Sequence, residues 1–525
     1  MSSSVVVGMD GTVTTKKTII ETTAKQCPEY LYASCVAAMT AAAAYANTAW
    51  QMRCLALVVC AYVGGLLYQN RRRPGEPPVV WSWVPVLGSA VAFGAAPLEF
   101  LKRSAEALGS PVFVATVAGE RTAFVADPGL WPRVLREPAG RLEFRSTGMD
   151  VTEGAFGVAR ADVADAFADA TDRVAHQQFV RCLQKPEHLR ELTAAAAAAL
   201  EQSLAALAGR RPLFEALAAP LWVATMRALT GDSSFATPAC FDDFKAFDGK
   251  FAYLAGGAPA SAFPAAASAL ARVADRYRTD PLYASGDATV SALLRSRRQL
   301  FARCEAEAGR PWRPDSHGRI QATMVWASAA NTIPAALWTA YWLARDAAAR
   351  RRVVADVAAG LRGAASVAEA LEDDGAFPVL DGAISEALRL ATASLTVRRV
   401  VVGDYVLPGA GCRLRRRDRV ALYPPLVHFD AARVGADPEK FVLDRYLANP
   451  RTPLMPFGGG ISLCPGRIFA RREIKAFLAV LLSRYDVALA DPAAPVPPSD
   501  PSRVGLGIIG PAPGADVDVV FSARA

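Results

Sequence analysis

Between Pro456 and Arg467 the chain reads Pro-Phe-Gly-Gly-Gly-Ile-Ser-Leu-Cys-Pro-Gly-Arg, and the run IFARREIKAFLAVLLSRY follows without a break. In that tail Ala470, Ile474, Phe477, Leu478, Leu481, Leu482 and Tyr485 fall on one helical face. A glycine-rich loop therefore delivers one cysteine, Cys464, to the head of a buried helix. Glycine permits backbone angles closed to other residues and close approach by a bulky planar group. Free backbone N–H groups and the positive end of the helix favour a thiolate at Cys464.

Three readings of this loop compete. A phosphate loop wants Gly-Lys-Ser/Thr after the glycines, and the sequence has none. A buried structural cysteine beside a turn stays open. A thiolate ligand of haem iron is the third, and it pushes electron density toward the metal in a way that favours O–O cleavage. The remaining cysteines are Cys27, Cys35, Cys54, Cys60, Cys182, Cys240, Cys304 and Cys412. The total of nine is odd and no Cys-x-x-Cys pair occurs, which argues against a disulfide framework or a four-cysteine zinc site. Four scattered histidines make a His-rich metal centre equally poor.

Hydrophobic residues make up 52% of the 525 residues and charged ones 21%, a composition that folds rather than stays disordered. Residues 1–30 are Ser/Thr-rich and read as a flexible leader, and 31–70 as a membrane-anchor region. Within the latter, Cys54–Tyr68 is CLALVVCAYVGGLLY, fifteen residues without a charge. A bilayer needs about 20, which upstream extension through Thr48–Met52 supplies at the cost of including Arg53. A signal peptide would begin nearer the N-terminus, and a buried core helix remains the other reading. Arg71, Arg72 and Arg73 close the apolar run, which favours a cytoplasmic body, and the Pro-rich stretch Pro74–Pro78 acts as a spacer.

Residues 71–525 form that body. Short strands are expected at Val112–Val117, Thr122–Val125, Val397–Val402 and Arg419–Tyr423, with long helices such as Leu189–Leu207, Ile320–Leu343 and Leu380–Leu390. Residues 358–376, rich in Ala and Gly, read as loose connection. The fold class is mainly α with small β-sheets. The net charge of +8 suits an anionic membrane surface or an acidic protein partner. Nucleic acid is not supported, since no zinc-knuckle, RNP-type motif or Lys-rich tail is present.

FGGGISLCPGR fits Phe-x-x-Gly-x-x-x-Cys-x-Gly, and on that motif the chain resembles the cytochromes P450. RRRPGEPP, FGAAPLEFL, WASAANTIPA, LYPPLVHFD, DRYL and SRVGLGI narrow the resemblance to the subgroup of cholesterol 7α-hydroxylase, sterol 12α-hydroxylase and prostacyclin synthase. It covers residues 71–508. The resemblance implies a P450 fold behind an N-terminal membrane helix, haem b (iron protoporphyrin IX) on Cys464, and Phe457 on the sulfur side, with Gly460 and Gly466 in the cofactor loop. Alone, Glu386 and Arg389 are an ordinary i, i+3 helix pair. In this family such a pair joins a later arginine, here Arg445, in a buried network behind the haem.

The sequence also departs from the family pattern. Ser462 stands two before the cysteine, where Arg or His usually grips a haem propionate, and no Trp-x-x-x-Arg is visible near His176–Arg181. Arg398 is the best replacement and Arg399 the alternative. On the central helix the usual acid–alcohol pair that supplies protons is replaced within Ala329-Ala330-Asn331-Thr332-Ile333-Pro334. Asn331 and Thr332 fill the two positions in one register, Ala330 and Asn331 in the other. Pro334 lacks an N–H, so it frees the Ala330 carbonyl and opens a kink where water enters.

The resemblance puts Trp326, Ala327, Ala393–Leu395 and Leu506–Ile508 on the pocket wall, apolar residues suited to a flat hydrophobic substrate. The function it implies is hydroxylation of a sterol-like lipid with O2 and electrons from an NADPH-dependent flavoprotein reductase. Arg471 and Arg472 are candidates for docking that partner, and the endoplasmic reticulum is the expected membrane. A P450-type isomerase or dehydratase of a lipid peroxide, without reductase, is the alternative. A non-catalytic haem sensor or carrier is the third reading.

Overall fold

A computed structural model describes residues 5–7, 13–15, 49–285 and 290–524. They fall into two compact units, residues 1–71 with 83–85 and the remainder. In the first unit α1 (Ala49–Asn70) is one continuous helix. Its stretch Met52–Asn70 has a mean hydropathy of 1.5 and is long and apolar enough to cross a membrane, Arg53 included. Tyr62 donates its hydroxyl to the Trp83 carbonyl at 2.7 Å. Within the expected leader, Val5–Val7 pairs antiparallel with Val13–Thr15; the rest of residues 1–48 lies outside the described residues.

The second unit holds a five-stranded sheet built from β1 (Val112–Val117), β2 (Glu120–Val125), β3 (Leu142–Glu143), β4 (Thr396–Val400) and β5 (Arg419–Leu422), in the order β1-β2-β5-β4-β3. β1 and β2 form a hairpin through Ala118 and Gly119, both at positive φ, the geometry that matches the twist of paired strands. β5 runs parallel to β2 and antiparallel to β4. Phe93, Phe113, Phe124 and Tyr423 pack in one aromatic core against this sheet. Gly209–Pro212, Tyr485–Leu489 and Asp518–Ala523 make a smaller antiparallel sheet.

Helices supply the larger core. Pro186–Ser203 shows why: a proline opens its first turn, an alanine run sustains it, and Leu189, Leu192, Ala196 and Leu200 bury one stripe. Around the site stand α2 (Pro238–Ala255), α3 (Ser316–Ala329), α4 (Thr332–Arg345), α5 (Pro378–Ala391) and α6 (Arg467–Arg484).

Two expectations need correction. The single helix expected over 320–343 is two helices, α3 and α4, separated at Ala330 and Asn331. Pro334 is the cause, since it has no N–H to bond the Ala330 carbonyl, while Ala335 donates to Asn331 O at 3.1 Å and starts the ladder again. The segment expected to be loose, 358–376, contains the end of helix Ala347–Gly360 and a short helix at Val367–Ala370 capped by the Ser366 side chain.

Candidate active site

Cys464 sits where the glycine loop meets α6. Its N–H donates to the Phe457 carbonyl at 3.0 Å, Leu463 N–H donates to Gly460 O at 3.1 Å, and Gln184 Nε2 holds the Pro465 carbonyl at 2.8 Å. Gly458 and Gly460 have φ of +70° and +64°. A Cβ at Gly460 would stand 2.1 Å from Leu135 O and 2.9 Å from Arg398 Nη2, so only glycine fits there. Gly460 therefore serves close packing behind the loop; it does not line the cavity described below. Gly466 lines it and heads α6.

Burial pushes the Cys464 thiol up, while the N–H groups of Gly466 and Arg467 and the Arg467 charge pull it down. The expected help from the helix end is present, but desolvation outweighs it. A coordinated cation reverses that balance, because a thiol bound to a metal is deprotonated.

Behind the loop, Glu386 and Arg389 of α5 are fully buried, and Arg445 nearly so. Arg389 Nη2 reaches Glu386 Oε1 at 2.7 Å and Arg389 Nε reaches Oε2 at 2.9 Å. Arg445 Nε joins the same Oε1 at 3.0 Å. Two guanidiniums share one carboxylate, and backbone carbonyls absorb the excess charge: His428 at 2.7 Å and Pro438 at 2.5 Å on Arg389, Val434 at 2.5 Å and Asp437 at 2.9 Å on Arg445. His428 in turn accepts the Met455 N–H on Nε2 at 2.9 Å, two residues before Phe457. Burial and the Arg389 charge lower its pKa to about 3, so it is neutral with its proton on Nδ1. The network thus ties the segment 434–442 to α5, and His428 carries the tie on to the cysteine loop.

Cys464, Phe457 and Gly466 line a cavity of about 440 Å³, within the range of small-molecule sites. Asn331 and Thr332 line it at the break between α3 and α4, and Ala327, Leu395, Leu506 and Ile508 supply apolar wall. Gly507 and Ile508 belong to a C-terminal segment stitched to the chain after α5: Ala393 N–H donates to Gly507 O at 2.9 Å and Leu395 N–H to Gly505 O at 3.0 Å. A larger groove of about 790 Å³ between Tyr277, Arg298, Phe301 and His317 contains none of these residues.

One residue expected on the cavity wall lies elsewhere. Trp326 is not on the cavity wall. Being one residue from Ala327, it is turned about 100° round the helix; its ring stacks on Phe251 at 3.9 Å and its Nε1 donates to Asp248 Oδ1 at 2.7 Å. Arg398 lies behind the loop, buried, with Nη1 on the carbonyls of Val134 and Glu137 at 3.2 Å and Nη2 on Gly459 O at 3.4 Å. Arg399, the alternative, is paired with Asp150 at 2.8 Å. Arg471 is bound to Asp381 at 2.7 Å and Arg472 to Asp374, so both docking candidates are already ion-paired.

Sequence reasoning missed three residues, Thr396, Glu473 and Asp248, and placed a fourth, Ser394, on the wall only within the run Ala393–Leu395. Ser394 Oγ, Thr396 Oγ1 and Glu473 Oε1 are buried on the cavity wall without partners among the described residues. Glu473 was detectable, since an acid three after Ala470 and one before Ile474 interrupts the apolar face of α6. Burial raises its pKa to about 8. Asp248 accepts from both Trp326 and Arg503, the latter at 2.6 Å, and nothing in its local sequence marks it.

This set fits an iron porphyrin. One sulfur stands at the edge of a mostly apolar cavity, and Arg398 is a buried cation whose hydrogen bonds among the described residues go to backbone carbonyls, with its Nε unpartnered there. An anionic propionate answers that charge.

Comparison with known proteins agrees. The family model for cytochrome P450 matches residues 319–516. A cytochrome P450 7A1 of Oryctolagus cuniculus is 30% identical, covering 87% of this chain and 95% of that protein. A cholesterol 7-alpha-monooxygenase of Cricetulus griseus is also 30% identical, covering 87% and 96%. A 7-alpha-hydroxycholest-4-en-3-one 12-alpha-hydroxylase of Oryctolagus cuniculus is 29% identical, covering 85% and 93%.

Proposed function

From the premise that this chain belongs to the cytochrome P450 family and is a monooxygenase of that kind, we propose that it hydroxylates a sterol-like lipid with O2 and electrons from an NADPH-dependent flavoprotein reductase. The observation that carries the reading is the mostly apolar cavity with Cys464 on one wall and the helix break at Asn331–Thr332 on another. The sterols in the names of its relatives, cholesterol and a 7α-hydroxylated cholestenone, point the same way.

Haem b, when bound, supplies the iron at which O2 is activated, with the thiolate favouring O–O cleavage. Cys464 is the ligand, and Phe457 and Gly466 shape the surface beside it. Arg398 and the Thr396 hydroxyl are the groups for a propionate, in place of the usual residue at Ser462. Glu386, Arg389 and Arg445 fix the backbone behind the loop; a buried network of this kind specifies geometry more than it adds stability. Thr332 and Asn331 hold water at the break. Neither titrates, so their part is to orient a proton carrier rather than to be one. Ala327, Leu395, Leu506 and Ile508 exclude bulk water and hold the hydrocarbon of the substrate.

The anchor is the region 31–70, following a leader over 1–30, with the body 71–525 on the cytoplasmic side of the endoplasmic reticulum. Its support is the apolar span Met52–Asn70 and the three arginines that follow. A second reading, isomerisation or dehydration of a lipid peroxide without reductase, draws on the missing acid before Thr332.

The test is purification of the full chain, reduced-CO difference spectra, and turnover with reductase and NADPH on a sterol panel beside a fatty-acid hydroperoxide. The expected result is a thiolate-type CO band lost in Cys464→Ser, and NADPH-dependent sterol hydroxylation. Product from the peroxide alone, with no NADPH-dependent sterol product, would overturn the monooxygenase reaction on sterols.

A further inference from the structure

Asn331 has an amide whose two ends are not equivalent. Its Oδ1 accepts the backbone N–H of Ile508 at 2.9 Å, across 177 residues of sequence. That bond settles which end of the amide is oxygen, because only oxygen can accept there. It is also the one hydrogen bond the side chain makes among the described residues, so both Nδ2 hydrogens are left for whatever occupies the cavity that Asn331 lines.

Gly507 makes the contact possible. It has φ of +151°, and a Cβ there would lie 1.9 Å from Asn331 Oδ1 and 2.9 Å from its Cγ. No side chain fits without driving the amide away. The segment carrying Gly507 is itself held from several sides. Ala393 donates to Gly507 O at 2.9 Å, Trp338 Nε1 donates to Ile509 O at 2.6 Å, and Arg503 is bound to Asp248 at 2.6 Å. Neither partner of the Asn331–Ile508 bond is free to swing, and the amide is a fixed group.

We propose that Gly507, Ile508 and Asn331 form a lock that fixes Asn331 as a hydrogen-bond donor toward the cavity, and that this donor selects hydrophobic substrates carrying an uncharged acceptor oxygen such as a ketone. It rests on the reading of this cavity as the substrate site. Around it the wall is largely aliphatic, with Ala327, Leu395, Leu506 and Ile508, so a ligand oxygen placed at Nδ2 replaces water with a partner and a hydrocarbon placed there leaves a donor unpaired. An unpaired donor costs more than a missing attraction, which makes the preference one of rejection as much as of binding. Asn331 is then a specificity residue, and Gly507 a positioning residue that acts through it.

The experiment measures binding of the haem-loaded full chain by its absorbance shift, with two matched pairs of ligands: a sterol ketone and its parent hydrocarbon, and a long-chain ketone and its parent alkane. Hydrogen exchange at the Ile508 amide is followed in parallel. The wild type is expected to prefer the ketone by about tenfold in at least one pair, the worth of one neutral hydrogen bond. Asn331→Leu is expected to lose the preference and to speed exchange at Ile508. In Asn331→Asp the preference is expected to fall as pH rises, because the ionised carboxylate still accepts from Ile508 but has no hydrogen to donate; the wild type stays flat. Gly507→Ala is expected to lose the preference as well, and should it fail to fold, the two Asn331 variants decide alone. No ketone preference in either pair, or a preference that survives Asn331→Leu, overturns the proposal. Sterol hydroxylation without any ketone preference sinks this proposal alone, whereas a preference confined to the long-chain pair, with no sterol binding, sinks the sterol reading and leaves the lock standing.

Discussion

Glu386 carries one negative charge between two buried guanidiniums, so its removal exposes both to a low-dielectric interior at once. Glu386→Gln is expected to cost ~3–5 kcal/mol in chemical unfolding, in line with breaking a buried pair from one side; a loss under about 1 kcal/mol would show that the carbonyls of His428, Pro438 and Val434 suffice without it. Glu473 poses the opposite case, an acid held neutral. Its ordinary pKa of 4.5 rises to about 8 on burial, so between those values the unfolded chain releases a proton that the folded one keeps. Stability is therefore lost as pH rises through that window. Glu473→Gln, neutral in both states, should gain on the wild type from pH 5 to pH 8 by an amount of order a few kcal/mol at the top; a constant difference across that range would refute the buried-neutral assignment. At this scale the cysteine was legible from a specific motif, and the Glu–Arg–Arg set and the wall residues other than Trp326 only through the resemblance that the motif opened. Asp248 and Thr396 were not, since their meaning comes from partners, or a lack of partners, that only the folded chain reveals.

Among the elements, the strands β1 and β2 and the helix of the cysteine loop follow closely from sequence, since short β-branched and aromatic runs and a helix-period apolar pattern act locally. The central helix does not. Its periodic pattern runs through 320–343, and only the weight given to Pro334 separates a kink from the break into α3 and α4. Restoring the missing donor with Pro334→Ala allows a bond from residue 334 to the Ala330 carbonyl and removes a cost of order 3 kcal/mol in a helix interior, less near a helix start. The variant is expected to melt at the same or a higher temperature and yet to convert a smaller share of the NADPH it consumes into product, because on the proposed function closing the break would displace the water assigned to Asn331 and Thr332. Equal coupling in the two proteins would show that the break serves packing alone.

On the scale of the whole molecule, both hydrophobic cores lie in the second unit, and α1 shares no residue with either. Leu57, Val58, Val63 and Leu67 on α1 are exposed side chains that water penalises and lipid does not. A variant lacking residues 1–71 is accordingly expected to keep the melting temperature of the body to within a few degrees. It should not become indifferent to membranes, however. Trp81, Val86, Leu87 and Val91 of the second unit are exposed within eleven residues of one another, and apolar side chains of that kind, with a tryptophan among them, partition to the interface on apolar area rather than charge. Flotation with neutral phosphatidylcholine vesicles should therefore fall steeply from the full chain to the truncated one, then stop at a residual fraction that raised salt leaves intact and that Trp81→Ser with Val86→Ser removes. Complete release on truncation would assign all membrane affinity to α1, and residual binding abolished by salt would assign the remainder to the +8 charge of the chain instead.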